Sequence, residues 1–170
     1  TGLGSAACPF LIGAAYYEDD LLILEQMFLR DIDDESAALK YFIEKFKGKT
    51  VVSFNGKSFD IPLIKNRCII NSIKPLELAP DHIDLLHLSR RLWKKRMASC
   101  RLGSIEEEIL KFERDHDISG SEVPEAYRQY LETGKADDIV RIISHNESDV
   151  ISMTVLLAII IRIEDDPISV

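Results

Sequence analysis

The chain has 170 residues, 46% of them hydrophobic and 29% charged, the balance of one globular domain with room for a sizeable core rather than a disordered segment. Its net charge of −8 argues against a uniformly basic surface for polyanions, and no apolar run reaches the roughly 18 residues that a membrane helix needs. Cys8, Cys68 and Cys100 lie far apart and form no C-x-x-C pair; with no secretory signal, this gives the expectation of a cytoplasmic protein with reduced thiols, without zinc or disulfides.

The first predicted element is a hairpin. The apolar runs PFLIGAAYYEDD and LLILEQMFLR flank a short acidic turn at Glu18 to Asp20. ESAALKYFIEKFKG then places Ala38, Phe42, Ile43 and Phe46 on one helical face, and Gly48 ends the helix. KTVVSF reads as a short buried strand, broken at Asn55-Gly56. A helix follows from Phe59 or Asp60 to about Ile70, with Pro62 tolerated in its first turn.

HIDLL is a second short strand, running into a helix that carries a basic cluster, RRLWKKRMASCR. SIEEEILKFER has Ser104 followed three residues later by Glu107, a capping-box pattern. EVPEAYRQYLETG is a helix ended by Gly134, and a long helix spans about Ala136 to Ile163. A hairpin, alternating helices and strands, then helices predict a single α/β domain over 1–170, with a mixed sheet flanked by helices.

Two segments can carry chemistry. Asp60 stands just beyond a strand end, where ligands gather in open α/β sheets, although a carboxylate there can equally serve as a helix cap or favour the helix dipole. In SHNESDVIS, His145 and Asp149 are four apart and share a helix face close to the apolar one. Taken alone they form either a satisfied polar pair at the core margin or half of a site. Two carboxylates from separate elements with a nearby His can hold Mg²⁺ or Mn²⁺, and two such ions about 3.5–4 Å apart are a recurrent device for cutting phosphodiesters. Two carboxylates are too few for two ions. His82 and Asp84 can line the same crevice, although Asp84 can equally cap a helix; with His87 they lack the spacing of an H-E-x-x-H metal helix. The basic residues Arg90, Arg91, Lys94 and Lys95 either bind phosphates or form a solvated helix face, and Trp93 among them reads as a core anchor.

These residues resemble a known family. SFNGKSFDIPLI is similar to the second motif, N-x-x-x-F-D, of the DEDD 3′–5′ exonucleases of the ribonuclease H-like superfamily, and HNESD is similar to their third. The step from His145 to Asp149 matches the branch with Tyr at the first position, since the His branch has one more residue between them. SCRLGSIEEEILKFER and GSEVPEAYRQYLETG further resemble the YprB-like group of predicted exonuclease domains, so the likeness covers essentially the whole chain.

The resemblance implies a ribonuclease H-like fold and a two-ion Mg²⁺ or Mn²⁺ site acting on 3′ ends of single-stranded DNA or RNA. Asp60 and Asp149 would be metal ligands, His145 the general base, and Asn55 and Phe59 would line the substrate cleft. The family's first motif, D-x-E on the first strand, should lie immediately before TGLG. Two metal ligands and a central strand are therefore expected to be missing, leaving a truncated reading of a longer gene or a poorly stable, inactive piece. The alternative is a catalytically inactive nucleic-acid-binding module of the same fold.

Overall fold

A computed structural model describes residues 8–74, 82–114 and 117–165, so the opening stretch TGLGSAA lies outside the described residues. The apolar runs around the acidic turn form the expected antiparallel hairpin, β1 (Leu11–Glu18) and β2 (Leu21–Phe28), in register from Leu11 opposite Phe28 to Glu18 opposite Leu21. Asp19 turns the corner at φ 53°, a left-handed conformation that Asp accepts more readily than most residues. Helix α1 (Glu35–Phe46) follows and ends before Gly48, whose φ of 70° suits a residue without Cβ.

The second sheet is small. β3 (Val52–Ser53) pairs in parallel with β4 (Ile83–Asp84), Val52 opposite Ile83 and Ser53 opposite Asp84. Each strand feeds a helix: α2 (Asp60–Ile70) follows β3 after a turn, and α3 (Leu85–Trp93) follows β4 directly. Among the described residues no strand joins the two sheets. The architecture is α/β, as the alternation of elements predicts, but in place of the expected single mixed sheet the described strands form two separate pairs, one antiparallel and one parallel.

The capping box read at Ser104 does not form. Helix α4 (Leu102–Ile105) starts earlier, after an extended Arg101, and leaves Ser104 inside it. The chain then widens into a π turn over Glu106–Leu110, closed by the Phe112 N–H on the Glu106 carbonyl at 3.0 Å and ended by a left-handed Lys111. At the head of this turn the Glu106 side chain points inward to Arg114, at 1% residue exposure. π turns concentrate at functional sites.

α5 (Val123–Thr133) and α6 (Asp137–Asp165) complete the fold. Trp93 is a core anchor as expected, packed with Leu85, Ile105, Leu156 and Ile160. A second apolar cluster joins Ile118, Tyr127 and Ile142 to the hairpin through Phe10, which stacks on Tyr127 at 3.9 Å. The Tyr127 hydroxyl donates to the Leu29 carbonyl at 3.1 Å, so its polar end is satisfied at the core.

The hairpin also fixes α6 in place. A Cβ on Gly13 would lie 2.1 Å from Asn146 Oδ1, so only glycine lets β1 approach the helix this closely. From β2, Gln26 Nε2 donates to the Ile143 carbonyl at 2.8 Å and to Asn146 Oδ1 at 3.0 Å. Ile143 and Asn146 bracket His145 in sequence, so these contacts set the height at which His145 and Asp149 emerge.

Candidate active site

The Asn55-Gly56 break after β3 is organised by a carboxylate from the neighbouring strand. Asp84 Oδ1 accepts from the Asn55 N–H at 2.7 Å and Oδ2 from the Lys57 N–H at 3.2 Å. The same Oδ1 caps α3 through the Leu86 N–H at 3.1 Å. Of the two readings open for Asp84, the cap is therefore the one the structure takes, and at 3% exposure it is buried by that work. Asn55 adopts φ 65°, which reverses the chain toward α2. A Cβ on Gly56 would meet Ser53 Oγ at 2.6 Å and Asp60 Oδ2 at 3.1 Å, so the turn needs glycine there.

Asp60 is consequently the first residue of α2, where the helix dipole favours a negative charge. The residue immediately before it, Phe59, is 45% exposed at the lip of the turn. One side of Asp60 is open to solvent, while protein atoms crowd the carboxyl from the other. That burial pushes its pKa above the ordinary carboxylate value, and the charges of Asp84 and Asp149 push it further the same way. Asp60 and Asp149, distant in sequence, are thus near enough in space to feel one another.

On α6, His145 and Asp149 face the same way, with His145 Nε2 3.6 Å from Asp149 Oδ2. Glu147, between them, points to solvent. The ring's other nitrogen, Nδ1, lies 2.6 Å from Asp117 Oδ1. Burial alone would raise the Asp117 carboxyl, but its bond to His145, with help from the Ile118 N–H and the Arg114 charge, holds it below the ordinary range.

Arg114 ties the group together. Its Nε and Nη2 bond the two Glu106 oxygens at 2.9 and 2.5 Å, and Nη2 also donates to Asp149 Oδ1 at 2.5 Å. Nη1 lies 3.4 Å from Asp117 Oδ2. A cavity of about 290 Å³ opens beside this group, lined by Gly103, Glu106, Glu107, Phe112, Arg114 and Asp117. Sequence reasoning missed Glu106, Arg114 and Asp117, which sit in a charged stretch without period.

The remaining expected residues lie at two distances from the acids. His82 Nε2 is 2.9 Å from Ser53 Oγ, next to the Asp84 turn; burial and then the Lys57 charge lower its pKa. Arg90, Arg91, Lys94 and Lys95 are exposed at the other end of α3 from Asp84. At 1.5 Å rise per residue Arg90 and Arg91 are roughly 9–11 Å away along the helix, and Lys94 and Lys95 lie just past its last residue. Arg91 pairs with Glu164 near the end of α6.

As metal ligands, Asp60 and Asp149 supply hard carboxylate oxygens, the donor type that Mg²⁺ and Mn²⁺ prefer. The raised Asp60 carboxyl beside two other acids is a place where a cation would relieve repulsion. Asp149 Oδ2 is the oxygen that Arg114 leaves open. Asp84 is spent on backbone N–H groups, and among the described residues no three His, Cys, Asp or Glu side chains are already gathered to hold a metal ion.

The curated protein described as "Uncharacterized protein YprB" from Bacillus subtilis (strain 168) is 35% identical over 156 residues, which cover 90% of this chain and 38% of that protein. The chain thus spans well under half the length of the relative it matches. A family model described as the RNase_H superfamily matches residues 1–161. With that match over nearly its entire length, the chain belongs to the RNase_H superfamily.

Proposed function

We propose that this domain is a metal-dependent 3′–5′ exonuclease on single-stranded nucleic acid, with Asp60 and Asp149 as metal ligands and His145 as general base. The observation that carries the reading is the convergence of Asp60, at the head of α2, with Asp149 and His145 on α6. Membership of a nuclease superfamily supports the reaction class. A bound Mg²⁺ or Mn²⁺ would supply charge to activate water and to steady the leaving oxygen.

The chain's own residues do the rest. His145 Nε2 takes a proton from the water whose oxygen attacks phosphorus. The bond from phosphorus to the 3′ oxygen of the preceding nucleotide breaks, that oxygen regains a proton, and a nucleoside 5′-monophosphate departs. Asn55 and Phe59 flank the terminal nucleotide at the mouth of α2. Arg90, Arg91, Lys94 and Lys95 hold backbone phosphates further along the strand.

A second reading, a nucleic-acid-binding module that does not cleave, draws support from Arg114, whose guanidinium already occupies Asp149 Oδ1. One experiment separates the two. Protein from the complete reading frame is incubated with 5′-labelled single strands and Mn²⁺, beside its Asp60→Asn variant and a chelated control. A ladder shortening from the 3′ end, absent in the variant and with chelator, is the result expected. Binding that survives chelation without any cleavage would put the binding module first.

A further inference from the structure

We infer that Asp117 is a positioning residue for His145, fixing the ring with its Nδ1–H on the Asp117 carboxylate and Nε2 turned to the Asp149 side. The inference rests on the hydrolytic reading for its purpose, but its geometry stands independently. Nδ1 has two neighbours, Asp117 Oδ1 at 2.6 Å and Arg114 Nη1 at 3.0 Å. A ring nitrogen has one in-plane position, filled by either a proton or a lone pair, so it cannot serve both. A lone pair facing a carboxylate oxygen at 2.6 Å would be strongly repelled. A proton there makes a short charge-assisted hydrogen bond. The shorter approach, to Asp117, thus assigns the proton to Nδ1, and Arg114 Nη1, although 3.0 Å from that nitrogen, has Asp117 Oδ2 at 3.4 Å as its acceptor.

The positioning has its own support. Asp117 Oδ1 also accepts from the Ile118 N–H at 2.9 Å, and Ile118 is anchored in the core at 3% exposure. Arg114, fixed on the buried Glu106, guards the other oxygen. The carboxylate is thus held on both sides while its ring-facing oxygen meets Nδ1. Nε2 is 3.6 Å from Asp149 Oδ2, beyond hydrogen-bond reach, so its lone pair is free to take a proton beside the proposed metal ligand. An acid that fixes the tautomer and orientation of a catalytic imidazole is a general device.

The test reads the tautomer and the kinetics separately. Long-range ¹H–¹⁵N spectra of the ring are recorded along a pH series, and the tautomer is read where the ring carries a single proton. The wild type is expected to show His145 as the Nδ1–H tautomer. Asp117→Ala is expected to revert to Nε2–H, which free histidine favours, and Asp117→Asn, which keeps an acceptor oxygen, to retain Nδ1–H. Because the Asp117 side chain is about a third exposed, neither change should unfold the domain. In hydrolysis, Asp117→Ala should lower kcat by about 10²-fold with KM nearly unchanged, and Asp117→Asn should recover most of it. A wild-type ring on the Nε2–H tautomer overturns the inference, as does an Asp117→Ala variant with unaltered tautomer or unaltered kcat. A wild type that cleaves nothing yet shows the expected tautomers overturns the hydrolytic reading and upholds the positioning.

Discussion

Replacing Arg114 by Met should destabilise the domain more than any other single change in the candidate site. Glu106 is 1% exposed, and its carboxylate bonds only to Arg114 among the side-chain contacts described, through Nε and Nη2. Met keeps much of the bulk and removes the charge, leaving a buried carboxylate without a cation. Breaking a buried pair from one side costs about 3–5 kcal/mol, a large share of the roughly 5–15 kcal/mol that holds a domain together. With a urea m-value of about 2 kcal/mol/M, the unfolding midpoint should fall by about 1.5–2.5 M. Asp117 and Asp149 lose the same cation but are each about a third exposed, so water covers most of their loss. The double variant Glu106→Leu with Arg114→Met removes both buried charges and should return to within about 1 kcal/mol of wild type. Urea titrations of the four proteins close the cycle. A single variant costing under about 1 kcal/mol would refute the reasoning, as would a double variant as unstable as the two single changes added together.

Asp60→Asn should raise stability at neutral pH while removing cleavage. Its folded pKa is raised, so ionisation opposes folding; stability falls as pH rises from the ordinary carboxylate pKa toward the folded one and stays lower above it. The gain at pH 7 should be a few tenths to about 1 kcal/mol, kept small by the open side of the carboxyl, and should vanish in acid. Mn²⁺ should raise the wild-type Tm and leave the variant's nearly unmoved. Glu35 behaves oppositely. Burial would raise its carboxyl, but hydrogen bonds from Arg67, Asn71 and Cys8 outweigh that and hold it below 4.5. Its contribution is complete above pH 4.5 and is lost as pH falls through the folded value, so Glu35→Gln should flatten the acid limb of stability against pH. Replacing Lys94 and Lys95 together by Ala should weaken single-strand binding and reduce the salt slope by about one to two. An unchanged slope would make the cluster a solvated face.

The parts of the fold that were legible are those in which a local pattern and a tertiary role coincide. The hairpin shows as two apolar runs about an acidic turn, and α2 starts where Asn55-Gly56 breaks a strand, because no regular element can carry that pair through. Asp84 was ambiguous because a cap and a ligand need the same side chain at the same place. Only the pairing of β3 with β4 decides it, by bringing the Asn55 and Lys57 N–H groups within its reach. Glu106, Arg114 and Asp117 were hidden for a different reason. A run such as EEEILKFER reads as solvated charge, and the inward turn of Glu106 depends on a π-helical widening that no periodicity announces. Ser104 and Glu107 misled for the same reason, since the widened turn starts from a helix that has already begun at Leu102.

How a chain of net charge −8 could receive a polyanion follows from where its charges lie. Much of the acidic excess is on elements outside the candidate site, at the hairpin tip from Glu18 to Asp20 and in the turn from Asp31 to Asp34. Inside the candidate site, Arg114 already offsets part of the charge of Glu106, Asp117 and Asp149. The charge left facing a strand end is therefore mainly that of Asp60 and the free side of Asp149, the two groups a divalent cation would neutralise. At 0.1 M salt, charges beyond about 10 Å are largely screened, so repulsion from the remoter acids fades before direct phosphate contacts do. On the proposed reading, affinity would then turn on the cation and on the exposed residues at the end of α3. On that reading the overall charge would set how slowly the strand arrives, and the cation at Asp60 and Asp149 with the basic groups at the end of α3 would set whether it stays.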